Sequence, residues 1–384
     1  MRPIVRALVM ATAIPVMISS AASLPHDDSQ IKELLDKAGI KAQGDRRGQM
    51  DAVGFVTTAT QMDGVLEQCT RLAAPRHKEL NEEHGWDNGT SFIAGVCPHD
   101  DYYYAGRLYS LLLSRIKAKR VILFGVFHKA RVFDSRDRLV FDSYRSWHGP
   151  YGPVKVSPLR EEIVKRLPQE DYVIDNDMQM VEHSVEAIVP FLQAADRQVE
   201  IVSILVPYMQ WETMDRLAAD LSSTLTDIIQ ENDWKLGEDL CFISSADAIH
   251  YGDAGWGGSN FAEFGTDVSG YEKAVARDMD LAREYLCGPV ERDKLNAFLY
   301  RCVDAHDVMQ YKITWCGRFS IPLGLNVAGR VMLAVEGRAL TGTLLDYGTS
   351  VSEASLDVEN LDGLGTTAPN NLHHFVGYAS IGYR

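Results

Sequence analysis

The stretch Ser91 to Gly106 reads SFIAGVCPHDDYYYAG. In it an apolar run, Phe92 to Val96, stops at Cys97 and Pro98 and gives way to a turn carrying His99, Asp100 and Asp101. A short continuous apolar run bounded by turn residues is the pattern of a strand buried on both faces. Three more runs repeat the pattern. Arg120 to Phe127 contains VILFGVF and ends at His128, Glu200 to Val206 reads EIVSILV, and Leu240 to Ser245 reads LCFISS and leads into Asp247 and His250. Between the first two runs, Leu108, Leu111, Leu112 and Ile116 recur at helical spacing, as do apolar residues over Thr213 to Gln230. A strand, a helix and a second buried strand make a βαβ unit, which is parallel and right-handed almost by rule. The expected fold class is therefore α/β, a mostly parallel central sheet with helices on both faces. The carboxyl ends of such strands lie at one edge, where ligands and catalytic groups gather.

The remaining segments fill in around this frame. Ala52 to Thr58 and Val331 to Glu336 read as strands, as do Ala339 to Tyr347 and Val376 to Ile381. Helical spacing marks Met62 to Leu72, Leu159 to Leu167, Val181 to Ala195, Tyr271 to Cys287, Asp293 to Val303 and the apolar segment through Leu325. Pro190 is expected to kink or end its helix. Arg76 to Gly89, Arg131 to Pro153, Ala254 to Ser269 and Gly363 to Asn371 read as loops. Residues 1–23 have a positive start, a short apolar run and small residues at Ser20-Ala21-Ala22, the pattern of a signal peptide, so export to a periplasmic or secreted location is expected. Residues 24–48 read as a polar leader and 49–384 as a single domain.

Composition narrows the function. The 384 residues carry a net charge of −15, which disfavours nucleic acid, because phosphate contacts need clustered Lys and Arg. The apolar run near the start is too short to span a bilayer, and no membrane span is expected in the mature chain. The six cysteines are too few for a disulfide scaffold, and both a structural disulfide and free thiols are open for most of them. Neither a P-loop, nor a Gly-x-Ser-x-Gly elbow, nor an HExxH zinc motif occurs.

If the apolar strands are parallel, His99, His128 and either Asp247 or His250 meet in one crevice. Imidazoles with a carboxylate or thiolate, drawn from different elements and leaving a coordination position open, suit Fe(II), Zn(II) or Cu. A lone histidine at a strand end is more often structural, but three such turns point jointly to a site. His183, next to Glu182, reads either as an acid–base group or as part of a capping turn.

Several of these segments resemble a known family. PHDDYYYAG resembles PHAGYxYxG, LFGVFHKA resembles LGPSHH, and EHSVEAIVPFL resembles EHSxExxLPFL. SSADAIHYG is similar to SSDxxHxG, CGRFSI to CGRxPI, and FVGYASI to a closing VGYAAI. In this order, from about Ala52 to Arg384, the motifs resemble the Memo family, known in prokaryotes as AmmeMemoRadiSam system protein B. That family is similar in fold to LigB-type class III extradiol dioxygenases, which are non-haem iron enzymes. The resemblance implies that His99, His128 and Cys316 bind one metal ion and that His183, His250 and Asp247 line the pocket. It thus replaces Asp247 by Cys316 as third ligand and makes Cu as plausible as Fe(II), with Zn an alternative. The chain departs from the family pattern at Asp100-Asp101, where Ala-Gly is usual, at Lys129 in place of a second histidine, and at Cys97 in place of alanine. Two functions follow as expectations. One is a mononuclear Fe(II)- or Cu-dependent oxidoreductase acting on a small molecule or O2, with His183, His250 and Asp247 moving protons or orienting substrate. The other is a non-catalytic protein that uses the same crevice to hold a metal, a peptide or a partner.

Overall fold

The computed structural model describes residues 28–87, 89–252, 261–352 and 355–384. The expected signal peptide, residues 1–23, lies outside them. In chain order the amino-terminal part comprises α1 (Asp28–Asp36), β1 (Arg46–Arg47), α2 (Ala59–His84), β2 (Ala94–Cys97), α3 (Tyr102–Leu113) and β3 (Arg120–Val126). Then come β4 (Leu139–Phe141), β5 (Ser146–Trp147), β6 (Val154–Val156), α4 (Leu159–Arg166), β7 (Tyr172–Ile174), α5 (Asn176–Met180) and α6 (Val189–Ala195). The centre holds β8 (Glu200–Val206), α7 (Trp211–Glu231), β9 (Leu240–Ser245) and β10 (His250–Gly252). The carboxyl-terminal part adds α8 (Val268–Leu281), β11 (Gly288–Pro289), α9 (Arg292–Cys302), α10 (Ser320–Glu336), β12 (Thr341–Thr349), β13 (Asn370–Asn371) and β14 (His374–Tyr383).

The middle of the sheet runs β6-β8-β3-β9-β2, and every ladder in that stretch is parallel. β14 and β12 continue it antiparallel beyond β2. The fold is α/β, as the apolar runs predict, with one refinement: β9 inserts between β2 and β3, so the βαβ unit spans a gap filled later in the chain. Side chains alternate along each central strand. Ile122 and Phe124 of β3, with Val202, Ile204 and Val206 of β8, join the core beneath α7, α9 and α10. Val121 and Leu123, with Ile201 and Leu205, join the core beneath α2, α3 and α6. Continuous apolar runs are needed because both faces of these strands are covered. No described helix is long and apolar enough to cross a membrane.

Several local expectations are corrected. Residues 52–58 form bends and irregular backbone, and the span 76–84 is the last part of α2 rather than a loop. Its charges sit on the solvent side while Cys69, Ala73 and Leu80 continue the buried stripe, and Pro75 is accommodated within the helix. Residues 181–188 are turns, and Pro190 starts α6 instead of ending it, since a missing N–H costs nothing in a first turn. Val331 to Glu336 belongs to α10, where Val331 and Met332 lie on the buried stripe. The loop expected over Arg131 to Pro153 contains β4 and β5. All six cysteines are free, so the disulfide alternative is not taken.

The segment read as a polar leader, 24–48, carries ordered elements where it is described. It contains α1 and β1, and β1 pairs with β5. Arg47 is fully buried. Its guanidinium donates to the Gln179 and Glu182 carbonyls, forms an ion pair with Glu186 at 2.5 Å, and stacks over the Trp147 ring at 4.1 Å. Glu186 in turn accepts the backbone N–H groups of Met50 and Asp51, each at 2.8 Å. Arg47→Ala strands the Glu186 carboxylate in a dry site and is expected to cost about 3–5 kcal/mol. Arg46→Ala, which removes a surface contact, should stay within about 0.5 kcal/mol, and chemical denaturation of both variants tests the contrast.

Candidate metal centre

Three parallel strands deliver their side chains to one place. His99 lies just past the end of β2, His128 past the end of β3 and Asp247 past the end of β9. The register pairs Cys97 with Ser245 and Phe124 with Ser244, so the three turns emerge side by side. Cys316 arrives from the opposite direction, on the turn preceding α10. Its segment is fastened to the β9–β10 turn by an isolated bridge between Ile249 and Trp315 and by the Cys316 N–H to the Ala248 carbonyl at 3.2 Å. Gly317 is required there, because a Cβ would lie 2.2 Å from that of Ala246.

The hydrogen bonds determine which nitrogen of each imidazole is available. The Ser245 hydroxyl donates to the Ser184 carbonyl at 2.5 Å, so toward His99 Nδ1, 2.8 Å away, its oxygen can only accept. His99 Nδ1 therefore carries the hydrogen and Nε2 keeps its lone pair. His128 Nδ1 faces Glu182 Oε1 at 2.8 Å, with the same result. The two free Nε2 atoms converge on one thiol, at 2.9 Å from Cys316 Sγ for His128 and 3.4 Å for His99. Asp247 accepts the His99 backbone N–H at Oδ1, 2.9 Å away, and brings Oδ2 to 3.2 Å from His99 Nε2 and 3.9 Å from His250 Nε2.

Electrostatics follow the burial. Burial, reinforced by the neighbouring imidazoles, lowers His99 well below the usual histidine range and lowers His128 as well. Burial and then His128 push His250 down to about 3. Burial would raise Glu182, but the His128 imidazole and the other donors outweigh it and bring it down to about 2. Burial would likewise lower His183, yet the Asp51 carboxylate, bonded to Nδ1 at 2.5 Å, pushes it up to about 10. His183 thus stands as an imidazolium, its ring centroid 4.7 Å from that of His128. Burial and the Asp247 carboxylate raise the Cys316 thiol well above its ordinary value; a cation among these donors would favour the thiolate instead. On the Cys316 side a cavity of ≈ 450 Å³ opens, with His128, His250 and Cys316 in its wall.

His99, His128, Cys316, Asp247, His250 and His183 are therefore brought together. Four further residues escaped the sequence reading. Glu182, seen there only as a neighbour of His183, orients His128, while Ser245 orients His99, Asp51 holds His183, and Asp278 holds the cysteine turn. Glu182 could have been singled out from the EHS triplet. Asp51 and Asp278 have no local signal, since their partners are far along the chain. The acids Asp100 and Asp101 serve the frame. Asp101 accepts the Thr367 and Ala368 N–H groups at 2.5 and 2.8 Å, and Asp100 accepts the Tyr378 hydroxyl at 2.8 Å. Gly54, at φ +86, passes so close that a Cβ would lie 1.9 Å from Asp101 Oδ1.

The arrangement defines a class: an α/β protein with a candidate His, His, Cys metal-ligand group at the carboxyl edge of a parallel sheet. The family model described as Memo-like protein matches residues 55–359, and the chain belongs to that family. It is 30% identical over 182 residues to a MEMO1 family protein of Pyrococcus horikoshii, covering 46% of this chain and 57% of that one. A MEMO1 family protein of Pyrococcus abyssi is 29% identical over 185 residues, with the same coverage. One of Saccharolobus islandicus is 31% identical over 169 residues, covering 41% and 52%. The chain thus spans little more than half the length of these relatives.

Asp278 gives a test of how the cysteine turn is held. It accepts Trp315 Nε1 at 2.6 Å, the Tyr347 hydroxyl at 2.9 Å and the Ile249 N–H at 3.1 Å. Burial, only partly offset by these donors, pushes its carboxyl up to about 6 from an ordinary 3.8. A folded-state value above the unfolded one means that the charged form weighs against folding above pH 6. That cost disappears as pH falls through 6 toward 4. Relative to Asp278→Asn, which does not titrate, wild-type stability should therefore rise by up to about 3 kcal/mol between pH 7 and 4. Denaturation midpoints of the two proteins across that range measure it.

Proposed function

We propose that the chain holds one transition-metal ion on His99, His128 and Cys316 and works as a mononuclear Fe(II)- or Cu-dependent oxidoreductase on a small molecule or O2. The observation that carries this reading is the convergence of two tautomer-locked Nε2 atoms on a single buried thiol. Around a tetrahedral ion, sulfur and imidazole donors sit about 3.5 Å apart, and the observed spacings of 2.9 and 3.4 Å fit a set that opens slightly to admit one. Glu182 and Ser245 supply the outer hydrogen bonds that metal-binding histidines regularly have. The thiolate makes the set softer than a two-histidine, one-carboxylate site, which favours copper alongside iron. When bound, the ion supplies open coordination positions and Lewis acidity.

The chain's own residues divide the remaining work. His250 and Cys316 face the cavity, so a substrate seated there lies beside the donor set. His183, backed by Asp51, holds a proton near the two ligand histidines, and Asp247 lies between His99 and His250, 3.2 and 3.9 Å from their Nε2 atoms. His183 and His250 are the proposed proton donor and acceptor.

Metal analysis tests the first half. Protein loaded anaerobically with Fe(II), Cu or Zn should retain about one equivalent, and His99→Ala and Cys316→Ser should retain almost none. Glu182→Gln should keep the stoichiometry but bind about 10- to 100-fold more weakly. Full retention by Cys316→Ser would remove the cysteine from the site. The second half is tested by oxygen uptake and product analysis with a panel of small organic substrates. Turnover that His250→Ala abolishes while its metal content holds supports an oxidoreductase. Metal binding without turnover on any substrate would make the centre a binding site for a metal or a partner.

A further inference from the structure

We propose that the cavity beside the candidate centre binds a small organic carboxylate, gripped by the side edge of the Arg318 guanidinium with Arg131 as a second cation. This deepens the oxidoreductase reading by naming the class of its substrate. The chain as a whole has a net charge of −15, yet among the described residues the wall of this cavity carries Arg131 and Arg318 and no carboxylate. Two guanidiniums crowd one ring: Arg318 lies 3.6 Å from the Tyr311 centroid and Arg131 lies 5.5 Å from it. Two cations on one cavity wall favour an anion between them.

The hydrogen bonding of Arg318 identifies which edge is used. Nη1 donates to the Trp315 carbonyl at 2.6 Å, and among the described residues this is the only hydrogen bond the side chain makes. Nε is buried without a hydrogen-bond partner. A buried N–H left unpaired costs about 1–3 kcal/mol, a cost that a carboxylate oxygen admitted at this edge would remove. Nε–H and one Nη2–H lie along the same edge of the planar guanidinium, at the spacing of the two oxygens of a carboxylate. Stacking on Tyr311 fixes the plane of that fork. Arg131 is anchored differently, with Nε on the Tyr208 hydroxyl at 3.0 Å and Nη2 on the Met309 carbonyl at 2.7 Å, so it contributes charge more than a free fork.

Size and lining select the rest of the ligand. A volume of ≈ 450 Å³ is that of a small-molecule pocket and excludes a folded partner from its interior. Phe261, Met309 and Tyr208 offer apolar and aromatic surface for an organic body. Inorganic phosphate would use the charge but not this surface.

The test is calorimetric titration of the full, metal-free protein with benzoate, pyruvate, benzamide and inorganic phosphate. Without metal, coordination to an ion cannot account for binding. At least one of the two carboxylates should bind saturably, and benzamide, the neutral isostere of benzoate, at least about 10-fold more weakly than benzoate. Arg318→Gln should weaken carboxylate binding about 10-fold or more, and Arg318→Lys should stay within a few-fold of it, because lysine restores the charge but not the fork. Arg131→Gln should have the smaller effect, and thermal melts establish that each variant is folded. Should Arg318→Gln fail to fold, the benzoate and benzamide comparison on the wild type decides the matter. The proposal is overturned if neither carboxylate binds, if benzamide matches benzoate, if phosphate binds tighter than both carboxylates, or if folded Arg318→Gln binds as the wild type does. Because these titrations use metal-free protein, a failure of the metal reading would leave this result standing.

Discussion

The parallel ladders through β6, β8, β3, β9 and β2 are the constraint on which the rest depends. Because those strands run the same way and share a fixed register, the turns after β2, β3 and β9 leave the sheet together, each with a polar side chain just past the last ladder residue. No local feature of HDD, HKA or ADAIH could do this alone. A change of register by one residue would send each of these side chains to the opposite face. The covered, two-sided sheet fixes the register, since both sets of alternating side chains are locked into dense cores.

On this edge the protein spends most of its buried polar groups on orientation. Glu182 takes three N–H groups, from His128 Nδ1, the His128 backbone and the Ser184 backbone. Arg47 and Glu186 hold the 182–186 segment from behind and draw residues 47–51 against it, which places Asp51 on His183. Asp278 does the same for the cysteine turn. Removing one such group disturbs several others, because each carboxylate serves more than one donor. The acidic pair after His99 belongs to this scaffolding, and its departure from the family pattern has a structural meaning: Asp101 ties the turn to residues 367–368 and Asp100 ties it to β14.

Charge is distributed unevenly over the site. Carboxylates lie behind the imidazoles, where they set tautomers and hold His183 charged. The cavity wall in front carries arginines and neutral histidines. A metal ion among the donors and an anion in the cavity would be complementary to these two zones, and the zones adjoin at Cys316, which belongs to both the donor set and the cavity wall.

The sequence by itself determined the architecture and three of its vertices. Uninterrupted apolar runs have one economical fate, a sheet covered on both faces, and a histidine just past such a run lies at the edge where the sheet opens. The resemblance to Memo proteins pointed to Cys316, which periodicity could not, because its turn precedes a helix rather than following a strand. Local patterns misread α2 and the end of α10, where the stripe of buried residues continues past a proline or a charged residue, and the start of α6, where the turns of residues 181–188 bury Val185 and Ile188 at helical spacing. The tertiary structure alone decided the partners. Asp51, Arg47, Ser245 and Asp278 act on residues far from them in the chain, and a hydrogen bond across such a distance leaves no trace in spacing or composition. Ser245, together with Glu182, settles which ring nitrogen of His99 and His128 is free, and with it what the site can hold.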